Sequence, residues 1–255
     1  MIMRLAENSK KAVDDGVYEV GVRLSKSSKN IIHEIKQNTH ASLITEVKFS
    51  SPSLGTIRPP SDPIKIADAM IEGGTLGLSV LTQPHLFNGS PEYFAEIRRN
   101  VDVPMLMKDI VVDKVQIDAA ERLGADIILL IQSVFEKKIA KESDEFIEYA
   151  HRKNLLVLME AHTCKEFEES AKTGADLIGI NNRNLDTLEI DLQTTQNILG
   201  RQQKDGRVVV SESGISRPED IRFLRSCGAD AFLVGSSIMK SKDIKGSVSS
   251  LVSAI

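Results

Sequence analysis

A glycine followed closely by a short apolar run recurs four times, as Gly74-Thr-Leu-Gly-Leu-Ser-Val-Leu, Gly124-Ala-Asp-Ile-Ile-Leu-Leu-Ile, Gly174-Ala-Asp-Leu-Ile-Gly-Ile and Gly228-Ala-Asp-Ala-Phe-Leu-Val-Gly. The glycines stand 50, 50 and 54 residues apart. Each follows a helical-looking stretch, and a glycine past a helix end turns the chain through the left-handed region at little cost. The continuous apolar run after it suits a parallel strand buried on both faces. Further runs at Ser42-Leu-Ile-Thr-Glu-Val-Lys, Pro104-Met-Leu-Met-Lys, Leu155-Leu-Val-Leu-Met-Glu and Arg207-Val-Val-Val-Ser lie before and between these four. Each period therefore holds two strand–helix units.

Eight such units in 255 residues predict a closed (β/α)8 barrel, a TIM barrel, over an open doubly wound sheet, because the repeat shows no switch point. Helices are expected over 62–72, 91–99, 114–123, 136–153, 164–173, 191–201, 217–227 and 242–253. Asp62 before Pro63, Ser90 before Pro91, Thr163 with Glu166 three later, and Ser216 are the expected caps. Residues 1–40 form an N-terminal helical extension, where Ile31, Ile32 and Ile35 mark a helix packed on the barrel. Residues 41–255 form the barrel, and the whole reads as a single domain.

With 41% hydrophobic residues the chain has ample material for a core. A net charge of −4 argues against nucleic-acid binding by bulk electrostatics, yet leaves room for one phosphate held by backbone N–H groups. Cys164 and Cys227 lack metal-ligand spacing and read as incidental thiols in a reducing compartment. The first residues carry charge too early for a signal peptide, and no apolar run approaches the ~20 residues that span a bilayer. A cytoplasmic protein without a membrane partner is expected.

In such a barrel the C-terminal strand ends carry the chemistry. Here the first strand ends with Glu46 and Lys48, the third with Lys108 and Asp109, and the fifth with Glu160. The sixth ends with Asn181, Asn182 and Arg183, the seventh with Ser211-Glu212-Ser213-Gly214, and the eighth with Gly235-Ser236-Ser237. Any one of these charges alone is readily solvated at the rim. Glu46 and Lys48, two apart, share one face, and burying both under helices without partners costs several kcal/mol, so they point into the mouth. Ser213-Gly214 and Gly235-Ser236-Ser237 occupy the places where barrels build phosphate sites, with glycine letting the backbone approach the anion.

From Ile44 to Met239 the sequence resembles the indole-3-glycerol phosphate synthase family. The resemblance rests on Ile44-Thr-Glu-Val-Lys-Phe-Ser-Ser-Pro-Ser, Ser79-Val-Leu-Thr, Phe87-Asn-Gly-Ser, Leu106-Met-Lys-Asp, Gly179-Ile-Asn-Asn-Arg-Asn-Leu, Ser211-Glu-Ser-Gly-Ile and Val234-Gly-Ser-Ser-Ile-Met. It implies a ribulose-phosphate-binding type of barrel that decarboxylates and cyclises 1-(2-carboxyphenylamino)-1-deoxyribulose 5-phosphate, with no metal or organic cofactor. It further implies Lys108 as general acid, and Glu160 and Lys48 for the later proton transfers. Glu46 and Asn181 would position the substrate and Lys108. Ser51 and Arg183 would hold the anthranilate end, Glu212 and Ser213 would line the centre, and Gly214, Gly235 and Ser236 would grip phosphate. Phe87, Leu185, Leu106 and Leu129 would wall the ring, though the last two also suit the barrel core. The segment before the first strand would lie over the active-site end.

The sequence departs from the family pattern at Phe49 or Ser50, at Ile110, and at Met159-Glu-Ala-His, where His162 reads as a surface loop residue. A monomer or weak homodimer is expected. Phosphoribosylanthranilate isomerase chemistry would need a Cys/Asp pair that these strand ends lack. A Schiff-base aldolase using Lys108, and a barrel that only binds a phosphorylated ligand, are the other readings.

Overall fold

In the computed structural model, which describes residues 1–255, eight parallel strands close into a barrel. In chain order they are β1 (Leu43–Val47), β2 (Gly77–Leu81), β3 (Met105–Lys108), β4 (Ile127–Ile131), β5 (Leu156–Ala161), β6 (Leu177–Asn181), β7 (Val208–Glu212) and β8 (Ala231–Val234), with β8 against β1. Helices α1 (Ile2–Asp14) and α2 (Ile31–Gln37) precede them. The outer helices are α3 (Pro63–Glu72), α4 (Pro91–Arg98), α5 (Lys114–Arg122), α6 (Gln132–Glu136), α7 (Ser143–Arg152), α8 (Cys164–Lys172), α9 (Gln193–Leu199), α10 (Pro218–Ser226), α11 (Ser236–Lys240) and α12 (Ile244–Val252). No helix is long and apolar enough to cross a membrane.

Successive strand side chains alternate between the barrel interior and the helices. Ile44, Leu106, Ile127, Leu129, Leu158, Leu177, Val210 and Leu233 accordingly meet in one buried cluster inside the barrel. Their neighbours, such as Leu43, Val47, Leu78, Met105, Ile128 and Phe232, join the larger cluster under the helices. On β1, β3, β5, β6 and β7 the interior side is apolar at its start and polar at its C-terminal end, while β4 stays apolar to Ile131, so a reactive mouth with one apolar wall opens above a packed core.

The repeated Gly-Ala-Asp phrase has a second role, beyond the turn. Asp126 accepts from the Met105 N–H at 2.8 Å, Asp176 from Val157 at 2.8 Å and Asp230 from Val209 at 2.9 Å. Each aspartate thus satisfies an N–H at the start of the neighbouring strand, a donor the ladder leaves open. Gly74, Gly124 and Gly228 have positive φ as the phrase predicts, but Gly174 does not. There α8 ends on Thr173 in extended backbone, and its hydroxyl accepts from the Ala175 N–H.

Asp62, Ser90 and Thr163 cap α3, α4 and α8 as expected, the last in a reciprocal capping box with Glu166. Ser216 does not cap α10. The Asp220 carboxylate reaches back to the N–H groups of Ser216 and Arg217 instead, because an acceptor inside the first turn serves the same open donors. The helix expected over 136–153 starts only at Ser143, as α7; the short α6 ends at Glu136, and the chain turns between them through Lys138 at positive φ. Ser143-Asp-Glu then restarts the helix with acidic residues in its first turn.

Only half of the N-terminal extension lies over the site. Helix α1 does: Leu5 lines the cavity at the barrel mouth, and the Met1 ammonium meets Asp186 at 3.1 Å. Helix α2 plugs the opposite end, where Ile31 sits close over Gly77, the first residue of β2.

Asp109 anchors the extension to the residue after Lys108. Its buried carboxylate accepts from Tyr18 Oη at 2.7 Å, the Ile110 N–H at 2.8 Å, Gln116 Nε2 at 3.3 Å, Ser9 Oγ at 3.4 Å, and Thr82 Oγ1. Burial pushes the Asp109 carboxyl up to about 6 against the pull of these donors. The folded chain therefore holds this proton more tightly than the unfolded one. That contribution to stability is full below about pH 4 and lost as the pH rises through about 6. Asp109→Ala strands several buried donors and lowers stability by about 3 kcal/mol in urea titrations at neutral pH; a loss under about 1 kcal/mol contradicts the anchor. Asp109→Asn flattens the fall in stability between pH 4 and 6, approximate limits taken from the same carboxyl.

Candidate active site

Strand register brings the polar strand ends to one level. Glu46 of β1 pairs with Ser79, Leu81 of β2 with Lys108, Glu160 of β5 with Gly179, and Asn181 of β6 with Glu212. Glu46, Glu160 and Glu212 are 3%, 3% and 1% exposed, so their charges depend on one another rather than on water. They line a cavity of about 670 Å³ together with Lys48 and Lys108.

Lys108 Nζ donates to Glu212 Oε2 at 2.8 Å and to Glu160 Oε2 at 3.3 Å. Asn181 Nδ2 donates to the other Glu160 oxygen at 3.0 Å, while its Oδ1 accepts from the Arg183 N–H at 2.9 Å. Asn181 therefore orients Glu160, and not Lys108 as the sequence suggested. Lys48 Nζ pairs with Glu46 Oε1, and Ser79 Oγ lies 3.5 Å from Glu46 Oε2. Two ion-paired groups result, Glu46–Lys48 and Glu212–Lys108–Glu160–Asn181.

Two glycines make this crowding possible. A Cβ on Gly179 would overlap Glu212 Oε1, and one on Gly235 would stand 2.7 Å from Glu46 Oε1. Only glycine at those points lets the carboxylates lie flat against the neighbouring strands.

The balance of forces on Lys108 goes one way. Burial by itself would strip its proton, but Glu212, Glu160 and Glu46 outweigh burial and hold its pKa well above the ordinary lysine range. Burial likewise opposes ionisation of Glu46, and Lys48 and Lys108 together overcome it, so Glu46 sits below the usual carboxylate range. For Glu212 burial wins: with Glu160 crowding it as well, its carboxyl is pushed up to about 7 despite Lys108. The site thus holds a firmly protonated amine beside a carboxyl whose proton is loosely placed near neutrality.

The phosphate candidates form a continuous arc. Ser213 and Gly214 both take positive φ, at 68° and 85°. Gly235 precedes α11, Ser236 opens it, and both line the cavity. Ser237 Oγ donates to the Ile215 carbonyl at 2.9 Å, tying the loop after β7 to α11. Ser51, Phe87, Arg183 and Leu185 also line the cavity, and Arg183 is steadied by the Leu188 carbonyl at 2.9 Å. Of the two leucines read both ways, Leu129 lines the cavity, while Leu106 is fully buried in the barrel core.

His162 is no free surface residue: half-buried, its Nδ1 lies 2.7 Å from the Asn181 carbonyl. The sequence pattern does not point to Leu5, Gln83 or Lys240 individually, nor to Arg58 behind the cavity wall. Leu5, Gln83 and Lys240 line the cavity, and Arg58 donates to the Met239 carbonyl, in the last turn of α11, at 2.8 Å. Gln83 follows the Ser79-Val-Leu run, but two residues on, where the strand-end rule that singled out Lys108 does not separate it from a loop residue. Leu5 and Arg58 carry no local signal.

Acid–base groups gathered at the strand ends of a closed parallel barrel define a barrel enzyme whose chemistry is proton transfer at the C-terminal mouth. Within that class the family model for indole-3-glycerol phosphate synthase matches residues 4–251. An indole-3-glycerol phosphate synthase of Acetivibrio thermocellus is 40% identical over 82% of this chain and 79% of its own length. One from Methanocaldococcus jannaschii is 42% identical over 91% of this chain and 83% of its own. Among solved structures, thiamine phosphate pyrophosphorylase from Pyrococcus furiosus superposes with a TM-score of 0.60 at 19% identity, covering 82% of this chain and 93% of that one, a likeness of fold alone. The chain belongs to the indole-3-glycerol phosphate synthase family. It is accordingly a carboxy-lyase of tryptophan biosynthesis acting on a phosphorylated small molecule.

Proposed function

We propose that Lys108 starts the ring closure of 1-(2-carboxyphenylamino)-1-deoxyribulose 5-phosphate as the general acid. The observation that carries this is its position between Glu212 and Glu160, which keeps the amine protonated at the cavity wall. Attack of the carboxylate-bearing ring carbon on the ketone makes an alkoxide. Its basicity rises past that of the amine as the bond forms, and the proton passes from Nζ to oxygen. Carbon dioxide then leaves with its bonding electrons returned to the ring. Loss of the new hydroxyl as water, together with one ring proton, completes the indole. Glu160 accepts that proton, and Lys48, held by Glu46, supplies one to the departing hydroxyl. Arg183 and Ser51 face the anthranilate end, and Ser213, Gly214, Gly235 and Ser236 hold phosphate through backbone N–H groups and hydroxyls.

A Schiff-base role for Lys108 is disfavoured by the same carboxylates, because a protonated amine is no nucleophile. A cytoplasmic monomer or weak homodimer remains part of the proposal. The deciding experiment mixes the purified protein with the carboxyphenylamino-deoxyribulose phosphate in EDTA and follows indole fluorescence. Rising fluorescence establishes reaction and metal independence together. A folded protein that binds the compound without turning it over reduces the chain to a binding barrel.

A further inference from the structure

Gln83 is 1% exposed and lines the reaction cavity, yet neither Oε1 nor Nε2 has a hydrogen-bond partner. Among the other buried amides, Asn181 is tied to Glu160 and Arg183, Asn182 to Ser211 and Thr195, and Gln116 to Ile110 and Asp109, while Gln132, outside this cavity, leaves its Oε1 without a partner. Leaving both ends of a buried amide unmade is costly, and native chains accept that cost where a ligand or ordered water completes the bonds.

The loop after Gln83 fixes its backbone at the end of β2. The Gln83 carbonyl accepts from the Gly89 N–H at 3.0 Å, and a Cβ on Gly89 would stand 2.6 Å from the Leu81 carbonyl. Pro84 follows directly, so the loop folds tightly back on the end of β2. Ser51 Oγ, after the neighbouring strand β1, lines the same cavity and is likewise buried without a partner. In the closed sheet β2 is separated from β7 by β1 and β8, and it adjoins β3. Gln83 therefore stands away from the Ser213-Gly214 side of the phosphate arc, on the side of the mouth that holds Lys108 and Phe87.

We propose that Gln83 is a substrate-binding residue that reads the ortho-amino-benzoate edge: Nε2 donates to the carboxylate beside Ser51 Oγ, and Oε1 accepts from the adjacent anilino N–H. This deepens the reaction assigned above and rests on it. One amide presents a donor and an acceptor side by side, and the substrate edge presents the reverse pair. Neutrality matters as well. An ammonium at this point would stabilise the carboxylate that must leave, whereas an amide orients it with a weaker hold on its charge.

The test is Gln83→Met, of similar length and apolar, with Gln83→Asn as a second variant that keeps an amide but withdraws it by one methylene. Steady-state turnover is measured beside the binding of two non-reacting probes. Both have the ketone reduced to an alcohol, and one also lacks the carboxylate. Gln83→Met is expected to raise KM and the Kd of the carboxylated probe about tenfold, with kcat within about threefold and the other probe unaffected. Its melting temperature without ligand should stay level or rise, because an unsatisfied amide has been removed. Gln83→Asn should also weaken the carboxylated probe selectively. Equal weakening of both probes, a drop in melting temperature, or unchanged KM in both variants overturns the inference. Failure of the wild-type protein to turn the substrate over would instead strike the assigned reaction, so the two failures are told apart.

Discussion

Lys108→Ala lowers turnover about a thousandfold while substrate still binds within a few fold, since a positioned acid contributes about 10²–10⁴ to rate. The reason lies in what surrounds the amine. Glu212, Glu160 and Glu46 keep its proton in place until the alkoxide forms, and no other cation touches Glu212 or Glu160. Removing Lys108 leaves those two carboxylates facing each other in a buried site, and Glu212, already raised to about 7, climbs further. The variant's residual activity therefore rises toward low pH, where a protonated carboxyl can stand in as acid. Lys108→Arg gives no rescue, because the longer, planar guanidinium cannot set a donor where Nζ stands between Glu212 and Glu160. Single-turnover fluorescence reads the rate, and titration with the ketone-reduced analogue reads binding. Near-normal turnover in Lys108→Ala would remove the acid role.

Glu160→Gln lowers formation of indole about a hundredfold, and decarboxylation much less, by loss of a general base that acts after carbon dioxide leaves. The amide keeps the volume and an oxygen for the Asn181 Nδ2 donor, so the geometry around β5 persists. What disappears is the proton acceptor and one of the anions that stabilise the Lys108 ammonium. Carbon dioxide release should then outrun fluorescence, with the hydroxylated ring compound accumulating. If both signals slow in parallel, Glu160 serves the first step, by holding Lys108, and its role as base after decarboxylation falls.

The repeat made the barrel legible because glycine turns and two-sided strand burial are local requirements, visible wherever the chain meets them. The strand-end rule located Lys48, Lys108, Glu160 and Glu212 for the same reason: a polar residue ending an apolar run has few places to go in this fold. Asp109 shows where such reading stops. It stands next to Lys108 in sequence, yet its side chain turns to Tyr18 and Ser9 of the extension, and nothing within a few residues announces those partners. Gln83 stands two residues past the end of its apolar run, where sequence alone does not separate a cavity residue from a loop residue.

The amino-acid sequence by itself determined the barrel, its family and which charged groups stand at its mouth, since periodicity, turn chemistry and strand termini are encoded within single strand–helix units. Only the tertiary structure decided who holds whom. That Asn181 orients Glu160, that Gly179 makes room for Glu212, and that three carboxylates overcome burial to keep Lys108 protonated are results of register between strands far apart in the chain. Electrostatic balance depends on distances and on exclusion of water, and both come into being when the barrel closes.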